Sequence, residues 1–324
     1  MMQLKKMVFD TDRTAEEILN NWHHDENTVI FWRASTNFVY RFEYNNKMYF
    51  LRFSHEDESS IEKITSELDF VHYLNKNSYS IACPVKSVND NYIEIVKTEI
   101  GICCAVVFEA VKGINLDITE MSIEELEIWG KSLAELHLLS KKYKPKKYVR
   151  NSWKDQLEYV KNILEDFPEE KSALNELKRV YEWLNSMSIS NKNFGLIHYD
   201  FQLDNIFWND KSGSFNVIDF DDAVYHWYMM DIVCALELGE LEDSKSKIIL
   251  KSFLKGYCSV KKMEDEYIEL IPKFKRYDNL LSFATLMRSM KDSDFVKDPD
   301  WLIKLRPRLI AWCDDYRREF EKPW

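Results

Sequence analysis

Three oxygen-bearing side chains at the centre of the chain stand at a spacing that could do chemistry. The run Gly195-Leu196-Ile197-His198-Tyr199-Asp200-Phe201-Gln202-Leu203-Asp204-Asn205 is followed by Val217-Ile218-Asp219-Phe220-Asp221. Phosphoryl transfer needs a carboxylate beside the attacking hydroxyl and oxygen ligands that hold Mg2+ against the phosphates. Asp200 meets the first need, and Asn205 with Asp219 meets the second. The apolar runs Ile206-Phe207-Trp208 and Phe215-Asn216-Val217-Ile218 flank a polar, Gly-containing turn. They predict a β-hairpin that folds Asp219 back beside Asn205. An isolated Asp-x-x-x-x-Asn is usually turn chemistry. An apolar strand, the loop, a hairpin and then Asp219, in that order, supply the context that gives the pattern chemical meaning.

The segments Ile197-His198-Tyr199-Asp200 through Asn205 and Ile218-Asp219-Phe220-Asp221-Asp222-Ala223, with Asp231 beyond, resemble the aminoglycoside phosphotransferase and choline kinase superfamily. These small-molecule relatives of protein kinases include type II homoserine kinases and bacterial stress-response kinases. The resemblance implies an α+β, bilobal, protein-kinase-like fold. Asp200 would be the base, and Asn205 and Asp219 the metal ligands. Asp231 would be a buried acceptor of catalytic-loop N–H groups, and His198 would pin the loop backbone. His137 reads as a packed core histidine.

The elements that must position these residues follow from periodicity. A helical lead-in at 15–22 precedes strand-like alternation at Val29–Arg33, Phe38–Tyr44 and Met48–Phe53, with Asn45-Asn46 as a tight turn. Ile61, Ile64, Leu68, Val71 and Leu74 mark one face of a helix over 58–77. Strands at Ile93–Val96 and Cys103–Phe108 complete an expected five-stranded antiparallel sheet with one helix, over residues 1–111. From 112 to 324 the pattern is mostly helical. Ser122 and Glu125 form a capping-box signature, and further helices are expected at 153–166, 169–187, 244–258, 264–290 (open to a break at Pro272) and 299–320.

In kinases a basic residue on the third strand grips phosphates and is held by a helical glutamate. Arg52 takes that place here, with Glu67, at the edge of its helix's apolar face, as partner. The loop Arg33-Ala34-Ser35-Thr36-Asn37 has no glycine, so Ser35, Thr36 and Asn37 are expected to offer N–H and hydroxyl groups to ATP instead. Phe108, Glu109 and Ala110, at a hinge over 108–112, complete the expected nucleotide contacts.

Charge and composition narrow the partners. Lys and Arg number 44 against 55 Asp and Glu, a net charge of −11, which disfavours nucleic acid. No apolar stretch approaches the ~20 residues needed to cross a bilayer, and the N-terminus lacks a signal peptide's apolar centre, so a cytoplasmic protein without membrane attachment is expected. The six cysteines show no Cys-x-x-Cys spacing and read as reduced core residues; the basic run at 141–147 reads as a solvated loop. Eleven residues separate Asp219 from Asp231, a space in which a peptide platform is hard to build. Asp200, Asp204, Asp221 and Asp222 would bias the site towards a small, amine-bearing hydroxyl acceptor. Trp227, Tyr228, Trp301, Trp312 and Tyr316 read as core more readily than as a cation-binding pocket. A stress-response protein Ser/Thr kinase is the alternative, and a nucleotide-binding scaffold without turnover is a third reading.

Overall fold

A computed structural model describes residues 11–237, 244–291 and 300–324. Helix α1 (Asp12–Leu19) leads into β1 (Ile30–Ala34), β2 (Phe38–Tyr44) and β3 (Lys47–His55). The Asn45-Asn46 turn joins β2 to β3 with both residues at positive φ, 51° and 61°, which matches the right-handed twist of a tight hairpin. Helix α2 (Ile61–Lys76), then β4 (Pro84–Val85), β5 (Glu94–Thr98) and β6 (Gly101–Glu109) complete this half. The sheet has six antiparallel strands, ordered β1-β2-β3-β6-β4 with β5 also on β6. The sequence pattern predicts five. The sixth, β4, is two residues long and begins with proline, so it has no periodicity to read. Helix α1 also joins this half, burying Ala15, Ile18 and Leu19 with Phe38, Tyr40, Leu51 and Phe53.

Helix α2 packs on two sides. Ile64 and Leu68 meet Cys104 and Val106 of the sheet, while Phe70, Val71 and Leu74 join the larger core below. That core holds α3 (Ile123–Ser140), α4 (Trp153–Leu164), α5 (Lys171–Ser186), α6 (Tyr228–Leu236), α7 (Ser244–Val260), α8 (Ile271–Met290) and α9 (Asp300–Glu321). The Ser122–Glu125 capping box forms as expected. Pro272 lies in the first turn of α8, where its missing N–H costs nothing, and a 3-10 turn at Asp265–Leu270 precedes it. The helix expected over 264–290 is therefore shortened at its start. Helix α6 is not legible in the sequence: all nine of its residues are buried, so it has no polar face to mark a period.

Among these helices lie two short ladders. Strand β7 (Phe194–Ile197) pairs antiparallel with β10 (Val224–Trp227), and β8 (Ile206–Asn209) with β9 (Ser214–Val217). Among the described residues the cysteines are unpaired; Cys103, Cys104, Cys234 and Cys313 are buried, but Cys258 is exposed, contrary to the core assignment. The lysines at 141, 142, 144, 146 and 147 lie in the segment between α3 and α4, where Lys146 reaches Asp69 at 3.0 Å. The five aromatics do not line one pocket. Trp227 and Tyr228 are core, Trp301 and Trp312 are 43% and 46% exposed, and Tyr316 packs between Phe283 and Phe320.

Helices α3 and α7 cross with their backbones in contact. A Cβ added at Gly130 would strike the Phe253 carbonyl, and one at Gly256 the Glu127 carbonyl. Gly130→Ala should force the helices apart and cost about 1–3 kcal/mol or more, read as a lower urea midpoint; an unchanged midpoint would show that the crossing has slack.

Candidate active site

The β7–β10 ladder brings together the loops that leave its two strands. Ile197 is opposite Val224, so the segment starting at His198 and the segment ending at Ala223 emerge side by side. The β8–β9 hairpin closes the third side: the Asn205 carbonyl accepts from Ile218 N–H at 2.9 Å. Asp200 and Asn205, from the loop between β7 and β8, are thereby brought beside Asp219, from the loop between β9 and β10. The Asn205 amide nitrogen donates to the Asp200 carboxylate at 2.6 Å and to the Asp200 carbonyl at 3.1 Å.

A buried scaffold fixes the catalytic loop from beneath. The Asp231 carboxylate accepts from His198 N–H at 2.9 Å and from Tyr199 N–H at 2.8 Å. It also lies 2.9 Å from His137 Nε2, whose Nδ1 is 2.7 Å from the Tyr257 hydroxyl. His198 Nδ1 accepts from Asp200 N–H, so its Nε2 carries the proton that meets the Ile218 carbonyl at 2.9 Å. Burial pushes His198 and His137 below the usual histidine range, so both stay neutral near pH 7. They orient the backbone, as the sequence suggests for His198. Tyr199 and Asp219 sit at positive φ, 72° and 63°, uncommon for side-chain-bearing residues and consistent with strain stored at a functional site.

Arg52 of β3 donates to Glu67 of α2 at 2.6 Å and to Asp219 at 3.2 Å, uniting the expected pair with the metal-ligand candidate. Its guanidinium lies 5.1 Å from the Phe108 ring centre. Beyond Phe108, Glu109 N–H donates to the Cys83 carbonyl and Ala110 N–H to the Met48 carbonyl, so both amides are engaged within the fold. In the glycine-free loop Ser35 is exposed and Thr36 half-buried. The Asn37 amide is committed to Asp221 at 2.7 Å. That contact moves Asp221 out of the expected acceptor group, because it faces the N-terminal sheet.

Three site residues carry no readable sequence signal. Arg33 donates to Asp219 at 2.7 Å. Arg150, buried, donates to the backbone carbonyls of Ala223, Lys63 and Asp221, tying α2 to the Asp219 segment. Asn115 donates to the Leu203, Asp204 and Ile206 carbonyls at 2.7, 3.2 and 3.1 Å. All three act on backbone or across long sequence separations, which spacing does not reveal.

The site crowds negative charge. Burial, Asp222 and Asp204 push the Asp200 carboxyl up to about 7. Burial and Asp221 also push Asp219 well up, against the pull of Arg52 and Arg33. Asp221 is held low despite burial, by Lys63 and Arg52. Among the described residues Asn205 Oδ1 is buried with no hydrogen-bond partner. An orphaned amide oxygen beside a carboxylate is a hard-oxygen donor set that fits a divalent cation such as Mg2+.

Residues 30–267 match the family model described as the phosphotransferase enzyme family, and the chain belongs to that family. It is a phosphotransferase. An amicoumacin kinase of Bacillus subtilis is 25% identical over 298 residues, spanning 87% of this chain and 86% of its own length. A solved amicoumacin kinase in complex with AMP-PNP and Ca2+ superposes with a TM-score of 0.82 at 22% identity, over 98% of this chain and 95% of its own. A microcompartment-associated aminopropanol kinase gives 0.70 at 20%, over 95% and 96%.

A raised carboxyl has a stability signature. The folded chain keeps the Asp200 proton between about pH 4 and pH 7, where an unfolded aspartate has lost it. This contribution to stability is complete below about pH 4 and is lost as pH rises through about 7. Asp200→Asn should therefore lose less stability than wild type between pH 5 and pH 8 in urea titrations. Parallel curves would contradict the raised carboxyl.

Proposed function

We infer that the chain transfers the γ-phosphate of ATP, held with Mg2+, to a hydroxyl of a small, amine-bearing molecule. The convergence of Asp200, Asn205 and Asp219, with the orphaned Asn205 Oδ1, carries this reading. Asp200 would accept the hydroxyl proton as the oxygen attacks phosphorus. Its carboxyl, pushed up to about 7, suits a base working near neutral pH. Asn205 and Asp219 would hold the cation, which when bound neutralises charge on the phosphates. Arg52, locked by Glu67, would hold phosphate oxygens, with Ser35 and Thr36 above them and the hinge at Phe108, Glu109 and Ala110 beside the base. On this reading residues 1–111 and 112–324 are two lobes with the nucleotide between them.

The acceptor side supports an amine. Asp204 lies in the catalytic loop, and Asp278 of α8 lies 3.5 Å from the Tyr199 hydroxyl. Burial pushes Asp278 up even beside Lys275, so an ammonium ion would restore its charge. The segment from Asp219 to Asp231 is taken up by β10 and the start of α6, which leaves little surface to dock a folded protein. The aminopropanol kinase, whose name gives an amino alcohol, points the same way.

ADP release should be measured with Mg·ATP against amino alcohols, sugars, aminoglycosides and a generic protein substrate. An amine-bearing alcohol should be phosphorylated on oxygen, with kcat/KM rising with pH as Asp200 ionises. Asp200→Asn should keep nucleotide binding and lower turnover by roughly 10²–10⁴. Efficient transfer to protein Ser/Thr with every amine-bearing alcohol inert would favour a protein kinase. Undiminished turnover in the variant would assign the base elsewhere.

A further inference from the structure

Asp219 has both carboxylate oxygens taken. Arg52 holds Oδ1 at 3.2 Å and Arg33 holds Oδ2 at 2.7 Å. A metal ion using this carboxylate must compete with at least one of them. Arg52 is not free to leave: its side chain is 9% exposed and Glu67 grips it at 2.6 Å. Arg33 is 38% exposed, and among the described residues Asp219 is its hydrogen-bonded partner.

A local irregularity in the sheet puts Arg33 there. Phe31 faces Tyr40, yet Arg33, not Trp32, faces Val39, so β1 carries a one-residue bulge. Val39 in turn faces Arg52 on β3. Directly opposed residues share a face of the sheet, so the bulge sets Arg33 in the Arg52 row, pointing towards Asp219. Trp32, the extra residue of the bulge, stays on the same face and packs on Phe50 with ring centres 5.9 Å apart. Bulges often re-aim a side chain beside an active site, and this one delivers a permanent positive charge at the start of the loop that lacks glycine.

We propose that Arg33 is a transferable counter-charge: it neutralises Asp219 until nucleotide arrives, then moves to the phosphates and releases the carboxylate to the metal. This rests on the nucleotide reading above. One guanidinium side chain thus does in this loop what backbone N–H groups do in a glycine-rich one, and it couples the two ligands. A planar, always-charged donor suits both carboxylate and phosphate oxygens, so the exchange swaps one anionic partner for another. Metal alone should bind poorly because Arg33 blocks it, and nucleotide should open the metal site.

The test uses the full chain, with Mn2+ alone followed by electron paramagnetic resonance and AMP-PNP in EDTA followed by calorimetry. Arg33→Ala should bind Mn2+ alone about tenfold more tightly and metal-free AMP-PNP about tenfold more weakly, the size of one charge-assisted contact. Arg33→Lys should fall between wild type and Ala on both measures. Arg33→Gln, which keeps most of the side chain's bulk, should shift in the same two directions and guards against misfolding of the Ala variant. A general structural defect would weaken both ligands together, so changes of like sign overturn the proposal, as does an unchanged affinity for either ligand. If wild type binds neither AMP-PNP nor Mn·AMP-PNP, the nucleotide reading falls, and the proposal with it.

Discussion

Everything in the site depends on keeping several carboxylates together where water is scarce. Asp200, Asp219, Asp221 and Asp222 come from two neighbouring segments, and three of them are pushed above the usual carboxylate range by burial and by one another. Left to Coulomb repulsion, such loops would separate. The surrounding structure supplies the opposing forces. Arg52 and Arg33 meet Asp219, Asn37 meets Asp221, and Arg150 holds the backbone on either side of Asp222. The charge that remains is the feature a divalent cation would relieve on the proposed reading.

The rest of the fold places and stiffens this cluster. Asp231 differs from the other carboxylates. Fully buried, it commits its oxygens to two loop N–H groups and a histidine. The β7–β10 ladder sets the approach of the two segments, and Asn115 ties the segment between β6 and α3 to the loop at 198–205. Helix α2 couples the two halves. Its Glu67 holds Arg52 towards Asp219, while Phe70 and Val71 anchor it in the larger core. Displacing α2 would move Arg52 away from Asp219 without touching any residue of the loop at 198–205.

Much of this is legible in the sequence because the chemistry is local. His198 to Asn205 and the hairpin to Asp219 form one continuous stretch, and turn residues and apolar alternation fix its geometry. Glu67 can be paired with Arg52 because a carboxylate at the edge of an apolar helical face needs a reason. Arg33 leaves no such mark, because a bulge re-registers β1 and no residue type announces that shift. Asp221 reads as an acceptor-side residue from proximity in sequence, yet its neighbour in space is Asn37, 184 residues away. Helix α6 and strand β4 escape a periodicity reading because one is buried all round and the other is two residues long.

On the proposed reading, the crowded carboxylates form a metal–nucleotide site organised by Asp219. Thermal unfolding of wild type and Asp219→Ala should be compared with Mg2+, with AMP-PNP and with both together. Wild type should gain about 2.7 kcal/mol at a hundredfold excess over the dissociation constant, with both ligands together exceeding the sum of each alone, and Asp219→Ala should lose most of the metal-dependent part. Equal gains in the two proteins, or no gain in wild type, would contradict the claim.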